Sequence, residues 1–384
     1  MPVGSLKNTL YGLALPLVGK RCGWPHIENH QLDKALRRHH VMGAGIQHFE
    51  KGKLTDCYMV GYADPQARKH PVEENTVFRT ASVAKMVTAL LVFRLQTIGK
   101  LSVQEDISDF TGYAVRNPNC PKAPITLGML LSHTSGIVDS QAYFASFVNP
   151  APLQELLKDS SAFLQAVPGT VFRYSNFAAG MVGCLLEKRF RMSLEELAQQ
   201  ELFKPLDIDA TFDLSKVDPE RAADSCRVLP AQLAFNASAR IRAARPLDEP
   251  DPERHYLLAS GSLFLTARDL AKLGLLAWNG GEGFLSQESL SQMQRPLLGW
   301  PQPEVRMRHG MGLLELDDAA VCPRKLWGHQ GFAYGAVNGV FFDKYGNGFA
   351  SLNSGASEQR TGHLALINRE LIRLWLNEEN ATDA

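Results

Sequence analysis

The sequence predicts an α/β (α+β) protein: an antiparallel sheet flanked by helices, with an inserted lobe that is almost entirely helical. Three observations lead to this prediction. Residues 42–60 alternate apolar and polar side chains around a turn at 50–53, which is typical of a β-hairpin. Residues 101–203 show helical periods joined by Pro-rich and Gly-rich connections. Strand patterns return only after residue 312, so the helical stretch separates two halves of one sheet.

The composition narrows the classes of function. The chain has 384 residues, which suits two or three domains with a cleft between lobes. Its 40 basic residues balance its 40 acidic residues. This neutrality argues against a nucleic-acid or membrane-surface protein, because both need a basic excess. A small neutral or zwitterionic substrate is therefore the expected partner, with no nucleic acid.

The six cysteines are scattered along the chain, and no Cys or His cluster has the spacing of metal ligands. The sequence therefore predicts no metal site and no cofactor. Reduced, structural thiols fit this sparse use, and Cys184 falls in a stretch that suits a buried helix. The even count leaves disulfides as the alternative.

Residues 1–29 are predicted to form an N-terminal extension. Residues 9–19 are apolar enough for the core of a signal peptide, but Lys20 and Arg21 follow at once and no small-x-small cleavage site is present. We therefore lean against export and towards a cytoplasmic location, with a periplasmic or secreted protein as the alternative. No segment approaches the roughly 20 uninterrupted apolar residues that span a bilayer.

The sheet domain is predicted to be assembled from residues 30–99 and 257–384. In its first half, a helix over 32–38 precedes the hairpin of residues 42–60. A helix that starts at Ser82 follows the hairpin and reaches about residue 98, before a glycine stops it.

The stretch from Ser82 to Lys85 carries the main chemical signal. If Ser82 opens a helix, Lys85 stands one turn later on the same face, so the hydroxyl and the amine face each other. A serine hydroxyl needs a positioned base to act as a nucleophile, and a desolvated lysine can serve as one. The alternative is an ordinary N-cap serine with a solvated lysine. Residues 86–93 are apolar almost all round, which favours a buried helix and a functional lysine.

Residues 100–256 are predicted to be the inserted, mainly helical lobe. His133 lies in a hydroxyl-rich turn after a short helix, and it either is catalytic or, in the preferred interpretation, fixes that turn by hydrogen bonds. Further on, a turn leads into a helix over 178–187. Tyr174 and Asn176 stand two residues apart where that helix starts, so both side chains can point into one cleft.

Three arginines, Arg240, Arg242 and Arg245, lie in the stretch of the lobe that is hardest to interpret. They could bind a substrate carboxylate. A solvated loop is the preferred interpretation, because prolines and acidic residues follow them closely.

The last part of the chain is predicted to complete the sheet. Residues 259–266 should cap a helix that begins near Ala267, and strands are expected at 312–316, 335–342 and 348–353. The closing amphipathic helix is expected to carry its apolar face on Leu364, Ile367, Leu371, Leu374 and Trp375.

His329 is flanked by Gly328 and Gly331 at the predicted start of a strand. Glycine in a strand marks a close approach by another group, and we expect that group to be a substrate lying along the strand's edge. An isolated H-x-G is weak by itself, because chance supplies about one in a chain of this length.

Taken in order, S-x-x-K at 82–85, Y-x-N at 174–176 and H-x-G at 329–331 resemble one family. This is the penicillin-recognising serine hydrolase family, with the class C β-lactamases, the low-molecular-weight DD-peptidases and their esterase and D-aminopeptidase relatives. The likeness extends to LLSHTSGI at 130–137 and GSLFLTARDLAKLG at 261–274 and covers roughly residues 30–377. It implies a β-lactamase/transpeptidase-like fold with the active site between the lobes.

The resemblance also implies roles for the motif residues. Ser82 would be acylated, Lys85 and Tyr174 would share the proton transfers, and Asn176 would hydrogen-bond Lys85 and the substrate amide. His329 would stand where many members carry a lysine that helps to bind the substrate carboxylate, and a neutral histidine weakens that anchor.

The strand that follows would bind the substrate. Gln330 and Gly331 would contact it, and the backbone N–H groups of Ser82 and Phe332 would form the oxyanion hole. Because His-Gln-Gly replaces Lys-Thr-Gly, we expect inefficient β-lactam hydrolysis, and the bulk of Phe332 should narrow the site.

These inferences predict a serine hydrolase that forms an acyl-enzyme with small esters, amides or D-amino-acid peptides. A true class C-type β-lactamase or a DD-carboxypeptidase is the first alternative. A non-catalytic penicillin-binding or scaffolding member of the family is the second, although no catalytic position is lost.

Overall fold

A computed structural model describes residues 3–300 and 304–376 of the chain. The α-helices are α1 (Val3–Val18), α2 (His30–Arg38), α3 (Ala84–Thr97), α4 (Ile107–Thr111), α5 (Leu127–Leu131), α6 (Gln141–Ala145), α7 (Leu153–Leu156), α8 (Asn176–Phe190), α9 (Leu194–Ala198), α10 (Ala237–Ala243), α11 (Leu258–Gly261), α12 (Ala267–Asn279), α13 (Gln287–Gln294) and α14 (Leu366–Leu376). The strands are β1 (Gly43–Glu50), β2 (Lys53–Gly61), β3 (Phe78–Arg79), β4 (Ala210–Thr211), β5 (Ser225–Val228), β6 (Ala231–Phe235), β7 (Phe264–Leu265), β8 (Leu298–Gly299), β9 (Met307–His309), β10 (Leu314–Leu316), β11 (Leu326–Ala333), β12 (Ala336–Asp343), β13 (Gly348–Asn353), β14 (Arg360–Thr361) and β15 (Leu364–Ala365).

The main sheet is antiparallel and has eight strands in the order β2-β1-β13-β12-β11-β10-β9-β8. The first hairpin is the one predicted from the sequence. It joins strands from the far end of the chain through β1 and β13, where Ile46 pairs with Ser351. The predicted α/β (α+β) class, an antiparallel sheet flanked by helices, is confirmed.

Helices cover both faces of this sheet. Helix α12 packs on β1, β12 and β13, while α14 packs on the opposite face against β12, β13 and α2. Every residue of β12 is consequently buried. This explains why the central strands look continuously apolar rather than alternating, as strands buried on both faces do.

The second half of the sheet domain agrees closely with the predicted elements. Thr266 caps α12 by accepting the Asp269 N–H at 3.1 Å. The strand expected from residue 312 starts only at Leu314, because Gly312 has a φ of +89° and cannot continue a strand. Leu364 lies in β15 rather than in the closing helix, which begins at Leu366.

The stretch between the two halves is mainly helical, with α8 packed against α3, α4, α5 and α11. One expectation for it was wrong. Residues 237–243 form helix α10 rather than a loop, because the Asn236 side chain caps the helix by accepting the Ala239 N–H at 2.7 Å and Ile241 is buried.

Two further findings concern the whole of the described chain. Within residues 3–300 and 304–376, no helix has both the length and the apolar character that crossing a membrane requires. All six cysteines are free thiols, and Cys184 is buried in α8, as the sequence indicated.

Candidate active site

Ser82 lies in a short 3₁₀ turn, Ala81–Val83, immediately before α3. The sequence placed Ser82 at the start of the helix, and the α-helix itself begins two residues later. The backbone of this turn is strained, because Ala81 has a φ of +53°, which a residue with a side chain adopts only at a cost in free energy. The first ten residues of α3 are all buried, so Lys85 is only 5% exposed.

The Lys85 amine is surrounded by three oxygens. Its Nζ lies 3.2 Å from Ser82 Oγ, 3.0 Å from Asn176 Oδ1 and 2.6 Å from the Ser260 carbonyl oxygen. An ammonium has three N–H donors, so this set satisfies the protonated amine completely. These contacts join the start of α3, the start of α8 and helix α11.

The same three contacts also suit a neutral amine. The amide oxygen of Asn176 and the carbonyl of Ser260 can only accept, so they retain two N–H bonds whatever the protonation state. Ser82 Oγ is the one neighbour that can donate, and it would then donate to the lone pair of Lys85. A proton can therefore move between Ser82 and Lys85 without rearrangement of the other two bonds.

Asp139, which the sequence analysis did not single out, orients the start of α8. Its Oδ1 accepts from Ser175 Oγ at 2.8 Å and from the Phe177 N–H at 2.9 Å, and its Oδ2 accepts from Asn176 Nδ2 at 3.0 Å. A carboxylate at a helix N-terminus is favourable because it satisfies free N–H groups and faces the positive end of the helix dipole. The bond to Nδ2 fixes the Asn176 amide so that Oδ1 faces Lys85. The only sequence signal was the position of Asp139 two residues after the hydroxyl-rich turn.

His133 holds the segment that carries Tyr174. Its carbonyl accepts the Arg173 N–H at 2.8 Å, its Nδ1 accepts the Ser175 N–H at 3.3 Å, and its ring lies 4.3 Å from the Tyr174 ring. The Tyr174 ring in turn faces Lys85 Nζ, 5.1 Å from the ring centroid. The contacts agree with the preferred sequence interpretation, a histidine that fixes structure by hydrogen bonds.

His329 lies in the middle of β11 rather than at its start, and it is buried. Burial first, and then the charge of Lys85, lower its pKa to about 3. The Nδ1 atom faces the Gln330 carbonyl at 2.8 Å, and because a carbonyl only accepts, Nδ1 carries the proton of the neutral ring. Burial likewise lowers the pKa values of His133 and His309 well below the usual range. The site therefore holds neutral imidazoles at pH 7.

The close approach predicted at Gly331 exists, but the approaching group is the protein itself. A Cβ on Gly331 would lie 2.6 Å from the Thr80 carbonyl oxygen and 2.8 Å from Ser82 N. The expectation that a substrate fills this space was wrong, because the turn that carries Ser82 fills it. The contact sets the spacing between the turn that carries Ser82 and the backbone of β11.

The sequence treated the strand at Phe332 as an edge. In sheet order β11 is internal, but β10 pairs only with residues 326–328 of β11. Among the strands of the described residues, none therefore pairs with residues 329–333 on that side, so this half of β11 is a local edge beside Ser82. Gln330 lines the cavity, but its amide is occupied by the His363 carbonyl, the Ala365 N–H and Asn368.

These elements enclose a cavity of about 310 Å³ that opens next to Ser82. The predicted residues that line it are Ser82, Tyr174, Asn176, His329, Gln330 and Phe332. The remaining wall was not predicted and is rich in rings and apolar side chains: Trp300, Met307, His309, Leu314 and His363, with Arg360 at the solvent-exposed rim.

The three arginines of the uncertain stretch do not reach this cavity, and all three are exposed. In the described part of the chain, no group of three or more His, Cys, Asp or Glu side chains is placed to hold a metal ion.

Comparison with known proteins supports this picture. A sequence model of the Beta-lactamase family matches residues 29–369. Penicillin-binding protein 4 of Amycolatopsis lactamdurans is 25% identical over 320 residues, which cover 79% of this chain and 78% of that protein. The probable fimbrial assembly protein FimD, serogroup H1, of Dichelobacter nodosus is 25% identical over 373 residues, which cover 92% of this chain and 86% of that protein.

A similar fold is found in the D-amino acid amidase from Ochrobactrum anthropi SV3, with a TM-score of 0.69 and 22% identity over 90% of this chain and 95% of the amidase. The resemblance seen in the three sequence motifs is thus confirmed by a match over most of the chain and by the shared fold. The chain belongs to the Beta-lactamase family and is a serine hydrolase of that family.

Proposed function

We propose that this protein hydrolyses small esters and D-amino-acid amides or short D-peptides through an acyl-enzyme formed on Ser82. The observation that carries the proposal is the set of three contacts around Lys85 Nζ, with Ser82 Oγ as the only one of the three that can donate. That arrangement is an activated nucleophile next to its base.

In the first step, Ser82 Oγ attacks the substrate carbonyl and its proton passes to Lys85 Nζ. The N–H groups of Ser82 and Phe332 stabilise the oxyanion of the tetrahedral intermediate, and the tight contact at Gly331 keeps the two backbones close. When the bond to the leaving group breaks, that group takes a proton from the pair formed by Lys85 and Tyr174. Water then attacks the ester on Ser82 and restores the hydroxyl.

The electrostatics of the cavity support neutral substrates at its inner end. His329 stands where the K-T-G form has lysine, and its lowered pKa of about 3 leaves it uncharged at pH 7. His329 therefore supplies no positive charge that would bind a carboxylate there. Arg360 lies on the exposed rim, with its Cζ 5.0 Å from the centroid of the Phe332 ring. Simple esters and D-amino-acid amides should accordingly be turned over faster than cephalosporins.

Two relatives support parts of this proposal. The fold shared with a D-amino acid amidase suits D-amino-acid amides as substrates. The similarity to penicillin-binding protein 4 suits a Ser82 that penicillins acylate, because the strained β-lactam carbonyl needs only a nucleophile and an oxyanion hole. We expect slow deacylation of such an adduct.

The test compares wild-type protein with Ser82→Ala and Lys85→Arg on 4-nitrophenyl butyrate, on the 4-nitroanilides of D-alanine and L-alanine, and on a chromogenic cephalosporin. Both variants should lose nearly all activity, Lys85→Arg because a guanidinium does not give up its proton. Intact-protein mass spectrometry after incubation with a penicillin should show a long-lived adduct on wild type and none on Ser82→Ala.

Two results would contradict the proposal. Cephalosporin turnover faster than ester and D-amide turnover would make the protein a β-lactamase. Equal ester rates for wild type and Ser82→Ala would favour a non-catalytic member of the family. The similarity to a probable fimbrial assembly protein is the observation that favours this second candidate.

A further inference from the structure

Two arginines on different elements share one pair of aromatic rings. Arg79 on β3 has its Cζ 5.1 Å from the centroid of the Tyr334 ring and 5.6 Å from that of Phe235. Arg240 on α10 has its Cζ 4.6 Å from the Phe235 centroid and 5.9 Å from the Tyr334 centroid. The two rings lie 5.6 Å apart. Two guanidinium groups are therefore gathered around a single aromatic pair.

No described residue neutralises these two cations. Neither arginine forms an ion pair or a hydrogen bond through its guanidinium with any residue in 3–300 or 304–376. Asp224 lines the same small recess as Arg79, but its Oδ1 accepts the Ala237 N–H at 2.6 Å and it makes no ion pair with Arg79. Burial first, and then the charge of Arg240, lower the pKa of Arg79 to about 10, where it is still protonated at pH 7.

The ring of Tyr334 is held at this place by a strained backbone. Tyr334 and Gly335 form the turn between β11 and β12, with φ values of +55° and +87°. Turns of this kind favour Asn-Gly, and an aromatic residue with positive φ is an outlier. Ser225 Oγ donates to the Tyr334 carbonyl at 2.9 Å and holds the turn. Strain of this sort collects where a side chain serves a function.

The cluster also lies next to the reaction centre. Arg79 is three residues before Ser82, and Tyr334 is two residues after Phe332. A Cβ on Gly261 would lie 3.5 Å from Arg79 Nη2 and 3.5 Å from the carbonyl carbon of Ala81, which is bonded to Ser82 N. Arg79 shares a small recess with Ala333 and Tyr334, whereas Phe332, one residue earlier on β11, lines the cavity next to Ser82. A substrate that lies along β11 would thus have the cavity on one side of Phe332 and the arginine pair on the other.

We propose that Arg79, Arg240 and Tyr334 form an anion subsite that binds a carboxylate on the part of the substrate extending past Phe332. The subsite rests on the proposed hydrolase function and names a substrate class for it: acyl groups that end in a carboxylate. Of the three arginines noted in the sequence, the structure selects Arg240 and adds Arg79.

The chemistry of the cluster matches a carboxylate. An anion placed between two guanidinium groups removes their mutual repulsion, and each group can donate two N–H bonds in the planar fork that a carboxylate accepts. The rings hold the guanidinium planes in place, so little side-chain entropy is lost on binding. An aromatic leaving group would occupy the ring-lined cavity, which directs the acyl chain to the arginine end.

The first measurement compares two 4-nitrophenyl esters of similar acyl size, the neutral butyrate and the monoanionic glutarate. Wild type should prefer the glutarate, and the ratio of kcat/KM for glutarate over butyrate should fall about tenfold in Arg240→Gln, because one charge-assisted hydrogen-bonding partner is lost. Arg242→Gln is the matched control, since Arg242 is exposed on the same helix and touches neither ring. The Ser82→Ala protein supplies the background rate, which is subtracted.

Tyr334→Asn separates the subsite from folding. Asparagine suits the positive φ better than tyrosine does, so the variant should unfold at a higher temperature and yet show a reduced glutarate preference. Titration of Ser82→Ala with glutarate, followed by calorimetry, measures binding without any reaction. Binding should weaken about tenfold when Arg240→Gln is added.

The outcomes are distinct from those that test the hydrolase itself. Wild type active on the butyrate, with a glutarate preference that falls in Arg240→Gln and Tyr334→Asn but not in Arg242→Gln, supports the subsite. An unchanged ratio in Arg240→Gln, or an equal fall in Arg242→Gln, overturns it while the hydrolase function stands. If neither ester is hydrolysed, the hydrolase proposal fails. If, in addition, glutarate binds equally well to Ser82→Ala with and without Arg240→Gln, the subsite is overturned as well.

Discussion

The contact at Gly331 gives the sharpest test of the site geometry, through the substitution Gly331→Ala. The added Cβ would lie 2.6 Å from the Thr80 carbonyl oxygen and 2.8 Å from Ser82 N. Both atoms belong to backbone and cannot swing aside as a flexible side chain does. Because unstrained contacts of this kind need roughly 3.3 Å or more, β11 and the turn that carries Ser82 must move apart by about half an ångström.

That movement separates the backbone N–H of Ser82 from the backbone N–H of Phe332, which are the two proposed oxyanion donors. A displacement of this order or the loss of one donor costs about 10²-fold in rate, so kcat for 4-nitrophenyl butyrate should fall at least about 10²-fold. Overpacking should lower the free energy of unfolding by about 1–3 kcal/mol, which leaves the protein folded at 25 °C.

Gly261→Ala is the matched control for this substitution. Its Cβ would lie on the other side of the same turn, 3.5 Å from the Ala81 carbonyl, which is ordinary van der Waals contact. Its kcat should stay within about threefold of wild type, as for a substitution without steric conflict. Urea unfolding monitored by circular dichroism shows that both variants are folded. A Gly331→Ala protein with more than half of the wild-type kcat would refute the argument that this contact sets the oxyanion geometry.

Three further predictions concern the groups around the site. Asp139→Asn replaces one acceptor oxygen by a donor opposite the Asn176 amide, so kcat should fall about tenfold or more, and an unchanged steady-state kcat would remove Asp139 from the site. His133→Ala should misplace Tyr174, so kcat should fall and the pH profile of kcat/KM should shift. His133→Asn can accept the same N–H and tolerates the φ of +59°, so it should recover part of the kcat and part of the wild-type pH profile. Equal kcat values and equal pH profiles for the Ala and Asn variants would contradict this. In the unfolded chain His329 binds a proton below about pH 6.5, whereas in the folded protein it binds one only near pH 3. The free energy of unfolding should therefore fall as the pH drops from 6.5 towards 3, and His329 should contribute up to about 1.4 kcal/mol per pH unit to this fall. Urea midpoints at pH 7 and pH 5 should therefore differ less in His329→Gln than in wild type, and equal differences would show that His329 does not titrate in this way.

The sequence alone identified the fold class, because its signals are local. The hairpin, the buried helix after Ser82 and the capped helix after Thr266 each follow from periodicity and end signals within about 20 residues. The three motifs could be recognised for the same reason, since each is a run of only three or four residues. The family match over residues 29–369 confirms the resemblance that was built on them.

The predictions that proved wrong concern features that depend on contacts between residues far apart in the chain. The sequence showed that Gly331 must be closely approached, but not that the Thr80 carbonyl is the approaching group, because that contact joins residues about 250 apart. It placed Arg240 to Arg245 in a loop, because a short helix held by one cap and one buried isoleucine leaves a weak local pattern.

What the sequence by itself determined about this protein is the order of its elements and the three short motifs from which the candidate site was predicted, since both are encoded in residue type and short spacing. Only the tertiary structure decided which groups surround them: Asp139 behind Asn176, the carbonyl of Ser260 on Lys85, the rings along the cavity and the pairing of Arg79 with Arg240. The physical reason is that a hydrogen bond or a shifted pKa depends on distance and burial. These are set by residues far apart in the chain, and no local pattern records them.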